Sequence, residues 1–262
     1  MTRGSSVVEQ NNVYLMDRYS HTVYCYEVNK DEWQEHSECP HRNTGLAIIR
    51  GVLTCVGGQR DLGGRDVKTN KLLSWKNQVW EEVFPPMSTA RYRHAVLVVS
   101  DYVIAAGGWD ETSVELFSTI TNTWSTVASL PLPLPGITAT VCGDKVYVMD
   151  WFGRTYYTSI SNFKEASTQP SHLQPTWLPL PDAPWRVSTL STMCGSVVAV
   201  GGTRGGTITS DIHQVHSGEW VRIGCMDTAR YLPIVAAPPG DRLLVVGGAS
   251  SSLTAVELAV LC

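Results

Sequence analysis

The sequence predicts an all-β protein in which six blades, each a four-stranded antiparallel sheet, form a β-propeller. Three observations support this fold: an apolar segment ending in two glycines recurs along the chain, a tryptophan follows most copies, and no segment has sustained helical periodicity. Units of roughly 40 to 50 residues that each contain four short strands are typical of propeller blades. We therefore expect a single propeller domain over residues 1–262.

The first marker is the apolar segment that ends in a Gly-Gly pair or in its substitute. Six copies occur, of which the first and fourth lack the glycines, at residues 13–17, 53–58, 103–108, 146–151, 197–202 and 244–248. Consecutive copies are 41 to 51 residues apart. We expect this segment to be the second strand of each blade, near the crowded axis, where glycine permits positive φ and close approach of backbones.

The third repeat shows the four strands of a blade most clearly. Apolar runs at residues 95–99 and 102–106 are separated by a turn, residues 113–117 alternate like a half-exposed strand, and a polar turn leads to residues 124–127. β-Branched and aromatic residues, which favour strands, are frequent in the unit.

The second marker is a tryptophan 16 to 26 residues after the glycine segment: Trp33, Trp80, Trp124, Trp177 and Trp220. We expect each indole on an outer strand, where it fills the wedge between diverging blades. The markers place the blades at approximately residues 5–39, 40–87, 88–131, 132–181, 182–226 and 227–262. Because no tryptophan follows the last glycine segment, we expect the last blade to be incomplete unless the N-terminal segment pairs there.

Composition excludes several classes of protein. The chain is 43% hydrophobic and 17% charged, so it can bury a core and does not have the composition of a disordered chain. A net charge of −4 argues against charge-driven binding to nucleic acid or to an anionic membrane. No apolar run approaches the roughly 18 residues that a membrane span needs, and the first residues do not read as a secretion signal.

The cysteines indicate a reducing compartment. There are 7, an odd number, and none stands in a Cys-x-x-Cys pair, so we expect separate thiols and a cytoplasmic location. His36, Cys39 and His41 lie close together, but zinc needs about four convergent ligands and no matching pair occurs elsewhere. We therefore expect no metal site and no cofactor.

The order of the markers resembles the Kelch repeat. In the best copy, residues 103–124, an apolar strand is followed by Gly-Gly, an alternating strand with Glu115 and Phe117, a turn at Asn122 and then Trp124. The resemblance covers essentially the whole chain. Among Kelch proteins, the sequence segments at residues 87–92 and 226–231 resemble the substrate-binding end of BTB-Kelch adaptors.

This resemblance implies a protein-interaction module that holds a short peptide or loop of a partner for a cullin-based ubiquitin ligase. The ligase would be contacted only through BTB and BACK regions, which are absent from this sequence. The alternative is a scaffold that binds an actin-like cytoskeletal protein or another folded protein. In neither case do we expect a nucleic acid or membrane partner.

The expected binding residues lie on loops that follow the Gly-Gly strand or join one blade to the next, since rigid blades position such loops around a central depression. These loops carry arginines and aromatic residues: Arg18, Tyr19, Arg42, Arg60, Arg91, Tyr92, Trp109, Trp151, Arg154, Arg186, Arg204, Arg230 and Tyr231, with Phe152 and Trp185 beside them. A guanidinium binds two oxygens of a carboxylate or phosphate, and rings pack against flanking side chains. The sequence therefore predicts a site for an acidic or phosphorylated peptide, although several arginines could instead bond loop carbonyls.

Catalysis is not expected. The seven histidines are dispersed, and neither a Gly-x-Ser-x-Gly elbow nor a phosphate-cradling loop is present. We predict no catalytic residue.

Overall fold

The computed structural model describes residues 4–16, 21–163, 176–240, 242–248 and 256–260. Within them the chain forms 27 β-strands and one helical turn over residues 160–163. All strand pairs within the sheets are antiparallel, and no helix of this part of the chain is long and apolar enough to span a membrane.

The first three sheets follow one another along the chain. The first sheet contains β1 Ser5–Glu9, β2 Asn12–Met16, β3 Thr22–Glu27 and β4 Glu32–Glu38. The second contains β5 Gly45–Ile49 and β6 Val52–Val56, then a separate two-stranded ribbon of β7 Gln59–Asp61 and β8 Asp66–Lys68, and finally β9 Leu72–Lys76 and β10 Val79–Glu81. The third contains β11 Ala95–Val99, β12 Tyr102–Gly108, β13 Glu111–Ser118 and β14 Thr123–Ser129.

The remaining sheets repeat this plan with one exception. The fourth contains β15 Thr138–Cys142, β16 Lys145–Met149, β17 Thr155–Ser159 and β18 Leu178–Leu180. The fifth contains β19 Thr189–Met193 and β20 Ser196–Val200, then the ribbon of β21 Thr203–Arg204 and β22 Thr207–Ile208, and finally β23 Asp211–His216 and β24 Glu219–Cys225. The last sheet has three strands, β25 Ile234–Ala236, β26 Arg242–Val246 and β27 Val256–Val260.

The predicted all-β propeller is confirmed, but the predicted number of blades is wrong. Within the described residues the structure has five four-stranded blades, not six. The residues that follow them form a three-stranded sheet, which has no fourth, outer strand within the described residues. The last sheet is incomplete because no outer strand with a tryptophan follows the glycine segment at residues 244–248.

The apolar cores lie between sheets rather than at the centre of the molecule. In the described residues there are six clusters of buried hydrophobic side chains, and each joins two sequential neighbours around the ring. The three-stranded sheet closes the ring, because Ile234 and Leu244 pack with Val13 and Leu15 of the first blade. A hydroxyl bond from Ser6 to the carbonyl of Val235, 2.9 Å long, adds to this seam.

The Gly-Gly pairs occupy the close approaches predicted for them. In the fifth blade, Gly201 and Gly202 have φ values of 64° and 117°. A Cβ on Gly202 would lie 2.5 Å from the carbonyl oxygen of Arg186, and one on Gly201 would lie 2.6 Å from that of Arg230. Both the backbone conformation and the available space therefore require glycine.

The tryptophans follow the prediction in part. Trp124 and Trp220 lie on outer strands, and each indole N–H donates to a proline carbonyl of the preceding linker, Pro85 or Pro181, at 2.9 Å. Trp33 also lies on an outer strand but is 37% exposed. Trp177 precedes its outer strand and is buried against Phe163.

The expected separation of the thiols needs one correction. Cys25, Cys39, Cys55, Cys142 and Cys225 are free, whereas Cys194 is disulfide-bonded. Burial and the neighbouring thiol of Cys39 raise the pKa of Cys55, so the Cys55 thiol is neutral near pH 7.

Candidate partner-binding face

Two sets of loops meet at one end of the propeller, which we call the loop face. The loops of one set precede the innermost strand of a blade, and the loops of the other set follow the second strand. Backbone hydrogen bonds join the two sets: Arg42 and Gln59 exchange bonds of 2.9 and 2.8 Å, and the Trp109 N–H donates to Tyr92 at 3.1 Å. The loops that the sequence assigned to binding therefore surround the same end of the axis.

Four aromatic side chains, Tyr92, Trp109, Trp151 and Phe152, form what we call the aromatic arc across the third and fourth blades. The ring centroids of Tyr92 and Trp109 are 6.5 Å apart, and those of Trp109 and Trp151 are 6.1 Å apart. Gly136 makes room for this arrangement, because a Cβ there would lie 1.7 Å from Nε1 of Trp151. Burial raises the pKa of Tyr92 above the ordinary value of 10.0.

Three arginines stack on the aromatic arc. The guanidinium of Arg93 lies 4.9 Å from the centroid of Trp109, and those of Arg154 and Arg186 lie 5.4 and 5.6 Å from Phe152. Such cation–π contacts are worth about 0.5–1 kcal/mol at exposed sites, and they hold a flexible side chain in place. The arc therefore fixes the positions of three guanidinium groups at the loop face.

Two of the predicted arginines are neutralised within the chain. Arg154 Nε donates to the buried carboxylate of Asp150 at 2.7 Å, and the same carboxylate accepts the backbone N–H of Phe152 at 2.8 Å. Arg42 pairs with Asp66 on the ribbon of the second blade. These two contacts shape the loops and leave less charge available for a partner.

Three predicted arginines keep their charge available at the loop face. Arg60, Arg186 and Arg204 form no ion pair with the described residues. Arg186 and Arg204 are exposed, and Arg60 is half-buried. Arg60 and Arg204 lie on the two ribbons, β7–β8 and β21–β22, which extend from the second and fifth blades.

Arg91 and Arg230 require a correction, because they are 1% and 2% exposed and cannot contact a partner directly. Arg91 donates to the carbonyl of Gly107 at 2.8 Å and to the buried Glu115 at 2.7 Å. Arg230 donates to the carbonyl of Gly247 at 2.7 Å. Both side chains tie a loop to the Gly-Gly strand of their own sheet.

The register of the loops explains this division. In five loops the residue two positions before the innermost strand has positive φ: Asn43, Arg93, Gly136, Val187 and Leu232. Counted from this residue, Arg42 and Arg186 are equivalent to Tyr92 and Tyr231, which are half-buried, whereas Arg91 and Arg230 lie one residue earlier. Arg93, which is not among the predicted residues, is half-buried at the loop face and stacks on Trp109. The positive φ that sets it apart is visible only in the structure.

The other expectations are simple to place. Arg18 and Tyr19 lie outside the described residues. His36, Cys39 and His41 do not converge: His36 packs against Tyr14, while Nδ1 of His41 lies 3.0 Å from the carbonyl oxygen of Gly57. Within the part of the chain that the structure describes, no group of three or more His, Cys, Asp or Glu residues could hold a metal ion.

Comparison with known proteins agrees with this architecture. The family model described as Kelch motif matches residues 90–131. Kelch-like protein 36 of Rattus norvegicus is 26% identical over 259 residues, covering 90% of this chain and 41% of its own length. Alpha-scruin of Limulus polyphemus is 28% identical over 143 residues, covering 50% of this chain and 16% of its own.

A solved structure, that of YjhT, superposes with a TM-score of 0.78 at 15% identity, covering 98% of this chain and 93% of that one, which is evidence for the fold alone. The chain spans about two fifths of the length of the Kelch-like proteins from mammals that it matches. The motif match at residues 90–131, these relatives and the sheet arrangement together support a β-propeller with Kelch-type repeats that resembles the Kelch-like proteins.

Proposed function

We propose that this Kelch propeller is a protein-interaction domain whose loop face binds a short acidic or phosphorylated peptide of a partner. The observation that carries the proposal is the set of three arginines, Arg60, Arg186 and Arg204, which form no ion pair with the described residues. A guanidinium that lacks a carboxylate in its own chain is available to bind two oxygens of a carboxylate or phosphate.

The aromatic arc supports the same function. Phe152 and Trp109 are exposed large hydrophobic side chains, the first beside Arg186 and the second beside Arg93. Interfaces use such rings to pack the side chains that flank a charged contact. Because Arg186 stacks on Phe152, less side-chain entropy is lost when it binds.

A peptide array followed by fluorescence anisotropy tests the proposal. We expect acidic or phosphorylated peptides to bind better than their neutral counterparts, and the Arg186→Ala, Arg204→Ala double variant to weaken binding at least about tenfold. Arg242→Ala is the matched control, because Arg242 is exposed at the start of β26, away from the loop face. Equal binding of neutral peptides, or unchanged affinity in the double variant, would contradict the proposal.

The biological setting follows from the resemblance. In this proposal the propeller recruits a substrate to a cullin-based ubiquitin ligase in the cytoplasm, and the ligase is contacted through BTB and BACK regions rather than through the propeller. The similarity to Kelch-like protein 36, which the chain covers over 41% of its length, supports this setting. Co-purification of the full-length gene product, with a partner identified on the peptide array present, tests whether a cullin is bound. Recovery of the partner without any cullin would argue against this setting.

A second candidate function is a scaffold on a cytoskeletal or other folded protein. The observation in its favour is that both ribbons expose apolar side chains. Leu62 lies in the turn between β7 and β8, Val67 lies on β8, and Ile208 lies on β22. A pull-down against native and denatured partner separates the two functions: capture of the native form alone favours the scaffold, and capture of both favours peptide recognition.

A further inference from the structure

A cavity of about 120 Å³ lies on the axis of the propeller, below the loop face. The N-terminal ends of all six innermost strands (β1, β5, β11, β15, β19 and β25) line it or reach it through the preceding residue. A volume of this size holds a few water molecules or one small polyatomic ion.

The wall of the cavity is polar and has no negative charge. It includes the hydroxyls of Ser5, Thr138 and Thr189 together with Arg93 and His94. Among the described residues that line the cavity there is no aspartate or glutamate. A bound cation would therefore meet no compensating charge, whereas an anion would meet a guanidinium.

Two hydroxyl groups have protons to offer. Oγ of Ser5 accepts the backbone N–H of Leu46 at 2.8 Å, and Oγ1 of Thr138 accepts that of Leu190 at 3.3 Å. These bonds use lone pairs, and neither hydroxyl donates to an acceptor within the described residues. Each O–H is thus left to donate toward the cavity.

His94 gives an independent reason to expect a ligand. Its side chain is 7% exposed, and neither ring nitrogen makes a hydrogen bond of standard geometry with the described residues. Burial lowers the pKa of His94 to about 3, with Arg91 acting in the same direction and the backbone of Val56 in the opposite one. The ring is therefore neutral at pH 7 and carries one N–H donor, which faces the Val56 backbone or the cavity. Buried polar groups are nearly always satisfied, and the Val56 backbone can meet only one of the two ring nitrogens, so the other nitrogen is available to a species bound in the cavity.

We propose that the cavity binds a small oxyanion, a carboxylate or phosphate group, held by Arg93, the hydroxyls of Ser5 and Thr138, and the ring of His94. An oxyanion accepts several hydrogen bonds at once, which matches a wall made of donors. The proposal deepens the proposed function and rests on it in part, because Arg93 also stacks on the aromatic arc. The anion is either an acidic side chain of the bound peptide or a free ion.

Isothermal titration calorimetry with inorganic phosphate, at constant ionic strength, tests the site. We expect saturable binding of one phosphate per chain, weakened about tenfold by Thr138→Val, which removes one donor at nearly constant shape. Arg93→Gln should weaken it further, and Ser5→Ala gives a second donor deletion if Thr138→Val does not fold. The control Arg242→Ala should bind phosphate like the wild type.

A competition experiment separates the two sources of the anion. If saturating phosphate displaces an array-selected acidic peptide, the occupant is the peptide's own carboxylate or phosphate; if both bind together, it is a free ion. The inference is overturned if phosphate shows no saturable binding. It is also overturned if the result is an adventitious ion only, that is, if phosphate binds with the same affinity to the wild type, Thr138→Val and Arg93→Gln. Peptide binding that persists in a propeller without phosphate affinity overturns this inference and leaves the proposed function standing.

Discussion

At the scale of single residues, the same side chain type has two different roles at the loop face. Arg91 is buried and bonds Gly107, Ser113 and Glu115, whereas Arg186 is exposed and stacks on Phe152. The carboxylate of Glu115 also accepts the backbone N–H groups of Ser88 and Thr89, at 2.6 and 3.0 Å. Arg91 therefore belongs to a buried network that fixes a loop, and Arg186 belongs to the surface that a partner can reach.

Removing Arg91 should unfold the loop rather than weaken binding selectively. Arg91→Ala leaves the carboxylate of Glu115 buried without its cation, and breaking such a pair costs about 3–5 kcal/mol of unfolding free energy. Arg42→Ala is the control: its pair with Asp66 is about one third exposed, so we expect a loss below about 1 kcal/mol. Urea denaturation measures both, and equal losses would contradict the assignment. Should Arg91→Ala not fold, Glu115→Gln removes the same charge pair with less change in shape.

Two buried histidines should make the protein less stable in mild acid. Burial lowers the pKa of His41 to about 4 and that of His94 to about 3, below the ordinary value of 6.5. The unfolded chain therefore binds protons between about pH 6.5 and these values while the folded chain does not. Stability is full above pH 6.5 and falls as the pH decreases, by about 1.4 kcal/mol per pH unit for each histidine.

Denaturation at pH 7 and pH 5.5 measures this effect. The His94→Gln variant should lose less stability on acidification than the wild type, because one of the histidines with a strongly lowered pKa is gone. An unfolding free energy that does not change between these pH values in the wild type would contradict the burial of the two rings.

At the scale of elements, the Gly-Gly strands of the second and fifth blades are each joined to the next sheet through the backbone. Gly58 donates to the carbonyl of Arg91 at 2.8 Å, and Gly202 donates to that of Arg230 at 2.9 Å. The side chain of each buried arginine thus bonds the glycine strand of its own sheet. The backbone carbonyl of the same arginine accepts a bond from the glycine strand of the preceding blade. This double attachment gives the repeated sequence segments at residues 87–92 and 226–231 a structural role.

Glycine substitutions in the fifth blade test this attachment. Gly202→Ala should destabilise the propeller by several kcal/mol, because its Cβ would meet the Arg186 carbonyl at 2.5 Å and φ is 117°. Gly205 lies in the neighbouring ribbon with φ of 58°, and a Cβ there would meet nothing within 4 Å, so Gly205→Ala should cost about 1 kcal/mol. Thermal unfolding compares them, and a similar midpoint for both variants would count against the close packing.

The elements show where sequence reasoning succeeds and where it stops. The Gly-Gly strands could be predicted because a sharp steric requirement repeats along the chain. The ribbons β7–β8 and β21–β22 could not, since their short strands are mostly exposed and carry no apolar alternation. The separation of Arg91 from Arg186 was also hidden, because it depends on a register that only the positive φ at Arg93 and Val187 defines.

At the scale of the molecule, stability depends on contacts between neighbouring sheets. Trp124 packs on the cluster formed by the second and third blades, and its N–H reaches Pro85 of the linker between them. The blade number was predicted wrongly because the repeat marks second strands, and the last marker is not followed by an outer strand in the described residues.

Loss of Trp124 should loosen the contact between two blades. Trp124→Ala removes a partly buried indole and one hydrogen bond, so we expect a loss of about 2–4 kcal/mol in unfolding free energy. Trp33→Ala, at an outer-strand indole that is 37% exposed, should cost less. Thermal unfolding provides the comparison, and an unchanged midpoint for Trp124→Ala would argue against its place between the blades.

The central claim is that a partner occupies the loop face, and hydrogen–deuterium exchange with an array-selected acidic peptide tests it most directly. We predict slower exchange on binding in the ribbons, residues 59–68 and 203–208, and beside the aromatic arc, residues 92–93, 109–110 and 151–154. The turns at the opposite end, such as residues 99–102, should exchange at the same rate with and without peptide. Protection confined to that opposite end, or to outer strands such as β14 and β24, would contradict the account.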